Sequence, residues 1–456
     1  MGERPQFDLA VRGTVVTDAG VAPESSVAIA DGKIAGIGLP IPLGTPTLGK
    51  EGLLILPGIV DAHVHALLDP REGFERTTRG AVAGGVTTII DQPLDPPDPV
   101  TSPARLREKR ALVEEHAYCD VGLLGGVTSG IDPDLEQMAE AGAIGFKHYM
   151  VNHPAMESAT AADMLRSFPR LAELDLVACV HAEEPTICAS RTSAVIASGR
   201  HEPEAHCDAR PPIAEIAAVA MVLEVARDTG AHIHFHHVTV PRSFELISAA
   251  RAQGVQVSSE ICLHYLLLSR EDMDELGGFA KINPPLRDRQ DRDALWRIVE
   301  QGTCDIIATD HAPKAADEKQ NPDIFKCSPG IPQVEVLLPL MFSHAVAKGR
   351  FGPRRLAQLL AENPSRQFGL WPQKGAIRVG ADADLVIFDP ECSWQIDGSS
   401  MQSFCGWSPY DGQKVTGRVV ATIVRGRVVY EEGTFAEGEE WGRVIEPTHV
   451  RAKEEE

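Results

Sequence analysis

Basic residues are scarce in this chain. Its 43 Lys and Arg stand against 65 Asp and Glu, a formal net charge of −22. Nucleic acid and anionic membrane surfaces both need a basic face, so neither is expected as a partner. An acidic substrate would need a local cation of its own. Long apolar runs are also missing. Nothing approaches the roughly 18 residues of a membrane span, and residues 1–11 have no apolar core of the signal-peptide kind. The nine cysteines show no paired spacing, as Cys119, Cys179, Cys188 and Cys207 illustrate. They read as buried thiols of a reducing, cytoplasmic compartment rather than as disulfides or a thiolate metal site. Internal repeats and low-complexity linkers are absent too.

What remains is an ordinary globular composition, 43% hydrophobic and 24% charged, long enough for a large buried core. The two ends read as β structure. Apolar alternation over 27–29 and 33–37 brackets Asp31-Gly32, a hairpin turn pair. Strand-like runs return at 384–388, 419–424 and 428–430. These ends are expected to form one composite β-sandwich from residues 1–56 and 374–456.

Between them, residues 57–373 alternate strand and helix. Apolar β-branched runs fall at 56–65, 86–91, 120–125, 144–149, 176–181, 232–238, 255–261 and 305–310. Helical patterns lie at 72–83, 103–116, 161–174, 213–227, 242–252 and 289–300, with closing helices expected at 334–348 and 353–361. Continuous apolar strands imply a parallel sheet covered on both faces. Eight of them close a barrel of the α/β class, a (β/α)₈ TIM-like fold, whose chemistry sits at the C-terminal strand ends.

Those ends carry the informative residues. The first run finishes in His63-Val64-His65, and period-two alternation sends both imidazoles to one side. Run four carries Lys147, run five ends in His181, and run eight ends in Thr309-Asp310-His311. Run six offers His232, His234 and His236 on one face and His237 on the other; only His237 needs to reach the site. An ammonium at position 147 would repel any metal beside it. Carboxylation of its nitrogen by CO₂ would turn it into an anionic carbamate with two donor oxygens. Nitrogen and carboxylate donors without thiolate suit zinc, with manganese or cobalt as substitutes.

The strings Pro57-Gly-Ile-Val-Asp-Ala-His63-Val-His65, Gly145-Phe-Lys147, Val180-His181-Ala-Glu, His237-Val-Thr and Thr309-Asp310-His311 resemble the amidohydrolase superfamily. Within it the chain resembles the cyclic amidohydrolases: hydantoinase, dihydropyrimidinase, allantoinase and dihydroorotase. The likeness runs nearly end to end and includes 84–88, 283–287, Lys374-Gly375 and 380–385. It implies two divalent metals. His63, His65 and Asp310 would hold one, His181 and His237 the other, and N6-carboxylated Lys147 would bridge them with the attacking oxygen. Asp310 would move the proton, first as base and then as acid.

The resemblance further implies a small, neutral cyclic ureide or imide as substrate, hydantoin-like first and allantoin second, and a homotetramer. Substrate contacts are expected from Asn283, Tyr149, Asn152 and Gly330. Several positions depart from the pattern. Leu67 stands where dihydroorotases carry Arg, with Arg71 as a candidate replacement. Asn152 replaces a substrate-binding Tyr of D-hydantoinases, with Tyr149 nearby. Pro332 replaces an Asn of dihydropyrimidinases, and the segment 66–72 is shorter than in allantoinases. Two other readings compete. A non-catalytic dihydropyrimidinase-like scaffold would lack several ligand positions, all filled here. A one-metal deaminase of the superfamily would not need Lys147.

Overall fold

The computed structural model describes residues 7–131, 133–151, 153, 155–436 and 441–447. Eight parallel strands follow one another around the centre: Ile59–Val64, Val86–Asp91, Asp120–Val127, Ala143–Tyr149, Val177–His181, Ile233–Phe235, Val257–Cys262 and Ile306–Ala308. Every residue of these strands is buried, which is why their sequences are apolar without alternation. The ring closes between its last and first members. The His65 N–H donates to the His311 carbonyl at 2.9 Å, and the Thr309 hydroxyl donates to Asp61 at 2.6 Å.

The crossover helices begin where the sequence supplies caps. Ser102 accepts from the Arg105 N–H ahead of Pro103–His116, and Thr160 with Asp163 forms a reciprocal capping box on Ala161–Glu173. The two closing helices are less regular than expected. Segment 334–348 divides into a 3₁₀ turn, a short α-helix and a π turn, Val334–Val336, Leu337–Met341 and Phe342–Val346. Segment 353–361 likewise widens into a π turn at Gln358–Glu362 before Asn363–Gln367. Pro364, lacking an N–H, cannot donate to Leu360, and the ladder loosens there.

The chain ends build a second sheet. Its order is Thr434–Phe435, Arg427–Glu431, Lys414–Val424, Leu385–Gln395, Thr47–Pro57, Leu9–Val16, Val21–Ala30, Lys33–Ile37. The two termini meet where residues 385–388 pair antiparallel with 57–54. The expected sandwich is therefore one continuous sheet, whose inward residues Val11, Ile29, Ile55, Ile387 and Ile423 share a core. The Asp31-Gly32 hairpin is present, with φ of +52° and +73° at the two turn residues. The predicted run 56–65 divides at Gly58, where the chain passes from this sheet into the barrel. A Cβ there would lie 2.0 Å from the Thr87 hydroxyl, so only glycine fits.

A buried ion cluster ties the sheet to the barrel. The Lys374 ammonium, 3% exposed, lies 2.9 Å from Asp382 and 2.8 Å from Asp384, and also bonds Asp120 at the start of the third barrel strand. Arg425 completes the pairing of Asp120. Burial works against the Lys374 charge, but the three carboxylates outweigh it and raise its pKa. Lys374→Met removes the one buried cation that these three carboxylates share. It is expected to cost about 3–5 kcal/mol of unfolding free energy, read from urea denaturation at neutral pH. A loss below about 1 kcal/mol, the range of an exposed pair, would show that the cluster is not a clamp.

Candidate metal centre

The barrel mouth opens into a cavity of about 500 Å³ lined by His63, His65, His181, His237 and Asp310. Each comes from a different strand exit, except the first two, which alternation places together. The His63 and His65 Nε2 atoms both stand 3.2 Å from Asp310 Oδ1. Ligand atoms of these three residues lie within 4.8 Å of one another, close enough to share one cation. The His181 and His237 rings stack edge-on with centroids 4.4 Å apart, and the His237 centroid is 5.3 Å from that of His63. Lys147, fully buried, sits beneath them, and its charge reaches His63, His181 and His237 alike.

Two of these residues need strained backbone to reach the cavity. His237 and Asp310 lie just past their strands with φ of +40° and +52°, the left-handed region that non-glycine residues seldom occupy. The turn at 237 breaks the strand's alternation and swings its ring inward. The sequence reading needs only His237 at the site, but His236 is brought there as well. Alternation directs it to the barrel interior, where its Nδ1 lies 2.5 Å from Lys147 Nζ and its ring 4.1 Å from that of His63.

Carboxylates behind the imidazoles fix which nitrogen faces the cavity. Glu260, on the seventh strand, lies 2.8 Å from His63 Nδ1 and 3.4 Å from His234, and accepts the His237 N–H. His63 therefore turns Nε2 toward Asp310. Glu183 lies 2.8 Å from His181 Nε2 and is itself paired with Arg210, so Nδ1 of His181 points inward. Such partners orient metal-binding histidines. Glu183 was visible two residues after His181; Glu260 had no local sequence partner to mark it.

Burial lowers the His63 pKa to about 4 and holds His181 and His237 below the usual imidazole range, keeping all three neutral donors. Burial pushes Asp310 upward, but His63 and His65 outweigh it and leave its pKa lowered. Burial also lowers Lys147 to about 8. Cys179 and Cys262, near the lysine, are raised by burial and remain thiols, so the donor set is nitrogen and carboxylate.

The cavity wall includes the expected Tyr149, Asn283 and Gly330. The Tyr149 hydroxyl and Asn283 Oδ1 are buried without a hydrogen-bond partner among the described residues. Gly330 uses its N–H on the Lys281 carbonyl, and its own carbonyl accepts from Lys319. Asn152 lies outside the described residues. Arg71 does not line the cavity: it is 54% exposed and paired with Asp69 and Glu318.

A closed parallel barrel with neutral imidazoles, a buried lysine and a carboxylate converging at its C-terminal mouth defines a barrel protein with a candidate metal centre. The sequence matches the Amidohydrolase family over residues 54–429, and the chain belongs to that family. It is 35% identical over 453 residues to an allantoinase from Rubrobacter xylanophilus, covering 98% of this chain and 99% of that one. An L-hydantoinase from Paenarthrobacter aurescens is 32% identical, covering 96% and 98%. The solved structure of an L-hydantoinase (dihydropyrimidinase) from Arthrobacter aurescens superposes with a TM-score of 0.92 at 32% identity, covering 96% of this chain and all of that one. Amidohydrolases of this family generally depend on two metal ions, and the clustered donors here fit such a group.

Proposed function

We propose that the chain hydrolyses a ring amide bond of a small cyclic ureide or imide, hydantoin-like first and allantoin second. The observation that carries this reading is one cavity holding both the donor cluster and two orphaned polar groups, Tyr149 hydroxyl and Asn283 Oδ1. A flat ring with alternating N–H and C=O groups satisfies both. The relatives named allantoinase and L-hydantoinase support the same substrate class.

In this reading His63, His65 and Asp310 would hold one ion, His181 and His237 the other, with Lys147 as a carbamate serving both. Zinc is the first choice, manganese or cobalt the substitutes. When bound, such ions polarise the scissile carbonyl and supply a nucleophilic oxygen at neutral pH. Asp310, ionised beside His63 and His65, takes the proton of the attacking water and delivers it to the departing ring nitrogen. That delivery matters because an amide anion leaves poorly. Tyr149 and Asn283 orient the ring, with Gly330 giving the wall close approach. Residues 57–373 carry the chemistry, and 1–56 with 374–456 support it. The free cysteines fit a reducing cytoplasm, and a homotetramer is the assembly proposed. No described helix is long and apolar enough to cross a membrane.

The test is a side-by-side screen of metal-loaded enzyme on hydantoin, 5-substituted hydantoins, allantoin, dihydrouracil, dihydroorotate and a cyclic imide. Turnover of a hydantoin or allantoin with kcat/KM of about 10⁴ M⁻¹ s⁻¹ or more is expected. Two bound metals with turnover of none of these rings would overturn the reading.

A further inference from the structure

We propose that the natural ring substrate bears an anionic substituent, and that Lys314 is the residue that binds it. This rests on the ring-opening reading above and narrows its substrate class. With a net charge of −22, the protein as a whole repels anions. Its cavity is built the other way. Among the described residues, the only acidic side chain on the wall is Asp310, against Arg210, Lys281, Lys314 and Lys326.

Three of those cations are already engaged. Arg210 is held by Glu183, and the Lys281 ammonium donates to the carbonyls of Ile324 and Cys327 at 2.7 and 2.6 Å. Lys326 is 69% exposed at the rim, 3.7 Å from Asp323. Lys314 differs. It is half-buried, and its ammonium has no hydrogen bond or ion pair among the described residues. The two carboxylates in its neighbourhood, Asp69 and Glu318, are bound to Arg71 at 2.5 and 3.0 Å.

The position is also well defined. Lys314 leaves the eighth strand four residues after Asp310, and its carbonyl accepts from Trp407 Nε1 at 2.8 Å, which pins the backbone. It lies near enough to His153 for the two charges to interact, and His153 in turn feels His65. Lys314 lines the same cavity as the donor cluster. A half-buried ammonium with no hydrogen bond or ion pair among the described residues is better satisfied when a ligand supplies a counter-charge. A carboxylate on a short arm from the ring does so, with a charge-assisted hydrogen bond.

The experiment compares racemic hydantoins bearing a 5-carboxymethyl or a 5-carbamoylmethyl group, which match in shape and differ in charge. Both kinetics and equilibrium binding by calorimetry are measured on the metal-loaded full chain. The wild type should favour the acid by on the order of 10-fold in kcat/KM, chiefly through KM, as expected for one charged hydrogen bond. The preference should shrink with rising ionic strength. Lys314→Met should bring the ratio to about one, Lys314→Arg should keep it, and Lys314→Glu should invert it.

A wild type that binds acid and amide equally, or a Lys314→Met variant that still prefers the acid, would overturn the proposal. Discrimination in binding without turnover of any ring would leave the anion site standing and remove the ring-opening reading instead.

Discussion

Lys147→Ala should lose turnover by on the order of 10³-fold or more, together with at least one of its two metals. The argument starts from charge. Lys147 is fully buried, its nitrogen 2.5 Å from His236 Nδ1, and its charge acts on the imidazoles of both proposed metal positions. An ammonium about 4 Å from a cation would cost about 4 kcal/mol per unit charge even with the screening typical of a protein surface. A carbamate would reverse that sign and supply two donor oxygens. The alanine variant has neither. Elemental analysis should fall from about two ions per chain to one or none, while circular dichroism stays native. Short carboxylic acids that fit the vacated space should restore part of the rate. Retention of two metals and of turnover within tenfold of wild type would rule out the bridging role.

How much of this could be read beforehand differs from residue to residue. His63 and His65 were legible because a strand's period is two, and the structure keeps that period. His237 was identified, but alternation alone does not explain it. The ring reaches the cavity through a left-handed backbone turn that no periodicity encodes. The same alternation, followed through, would have sent His236 inward beside Lys147. Glu260 was invisible because its meaning is wholly tertiary: it is an acid on the seventh strand whose partners lie on the first and sixth. The barrel followed from eight buried apolar runs. The second closing helix loses regularity where Pro364 removes a donor, an effect that a helical pattern conceals. The tail motif around Lys374, Asp382 and Asp384, noticed as a family likeness, acquires a physical reason in the ion cluster that locks the sheet to Asp120.

Asp310→Asn provides the sharper test of chemistry, because it should separate metal binding from proton transfer. The amide oxygen of the substituted side chain can still face His63 and His65, whose Nε2 atoms both lie 3.2 Å from the native carboxylate, so metal content should hold. What the amide cannot do is accept a proton and return it. A loss in kcat of about 10²–10⁴-fold is expected, the usual contribution of a positioned acid–base group. The pH profile supplies the second readout. Burial favours the neutral acid, but His63 and His65 outweigh it and hold the carboxyl below its ordinary range. The base form therefore persists through neutral pH, and wild-type activity should decline only as pH falls through that lowered value. The residual activity of the variant should lack that acid-side dependence, since a carboxamide does not titrate. Unchanged kcat, or the same acid limb in both proteins, would place the proton on another group and take Asp310 out of the catalytic step.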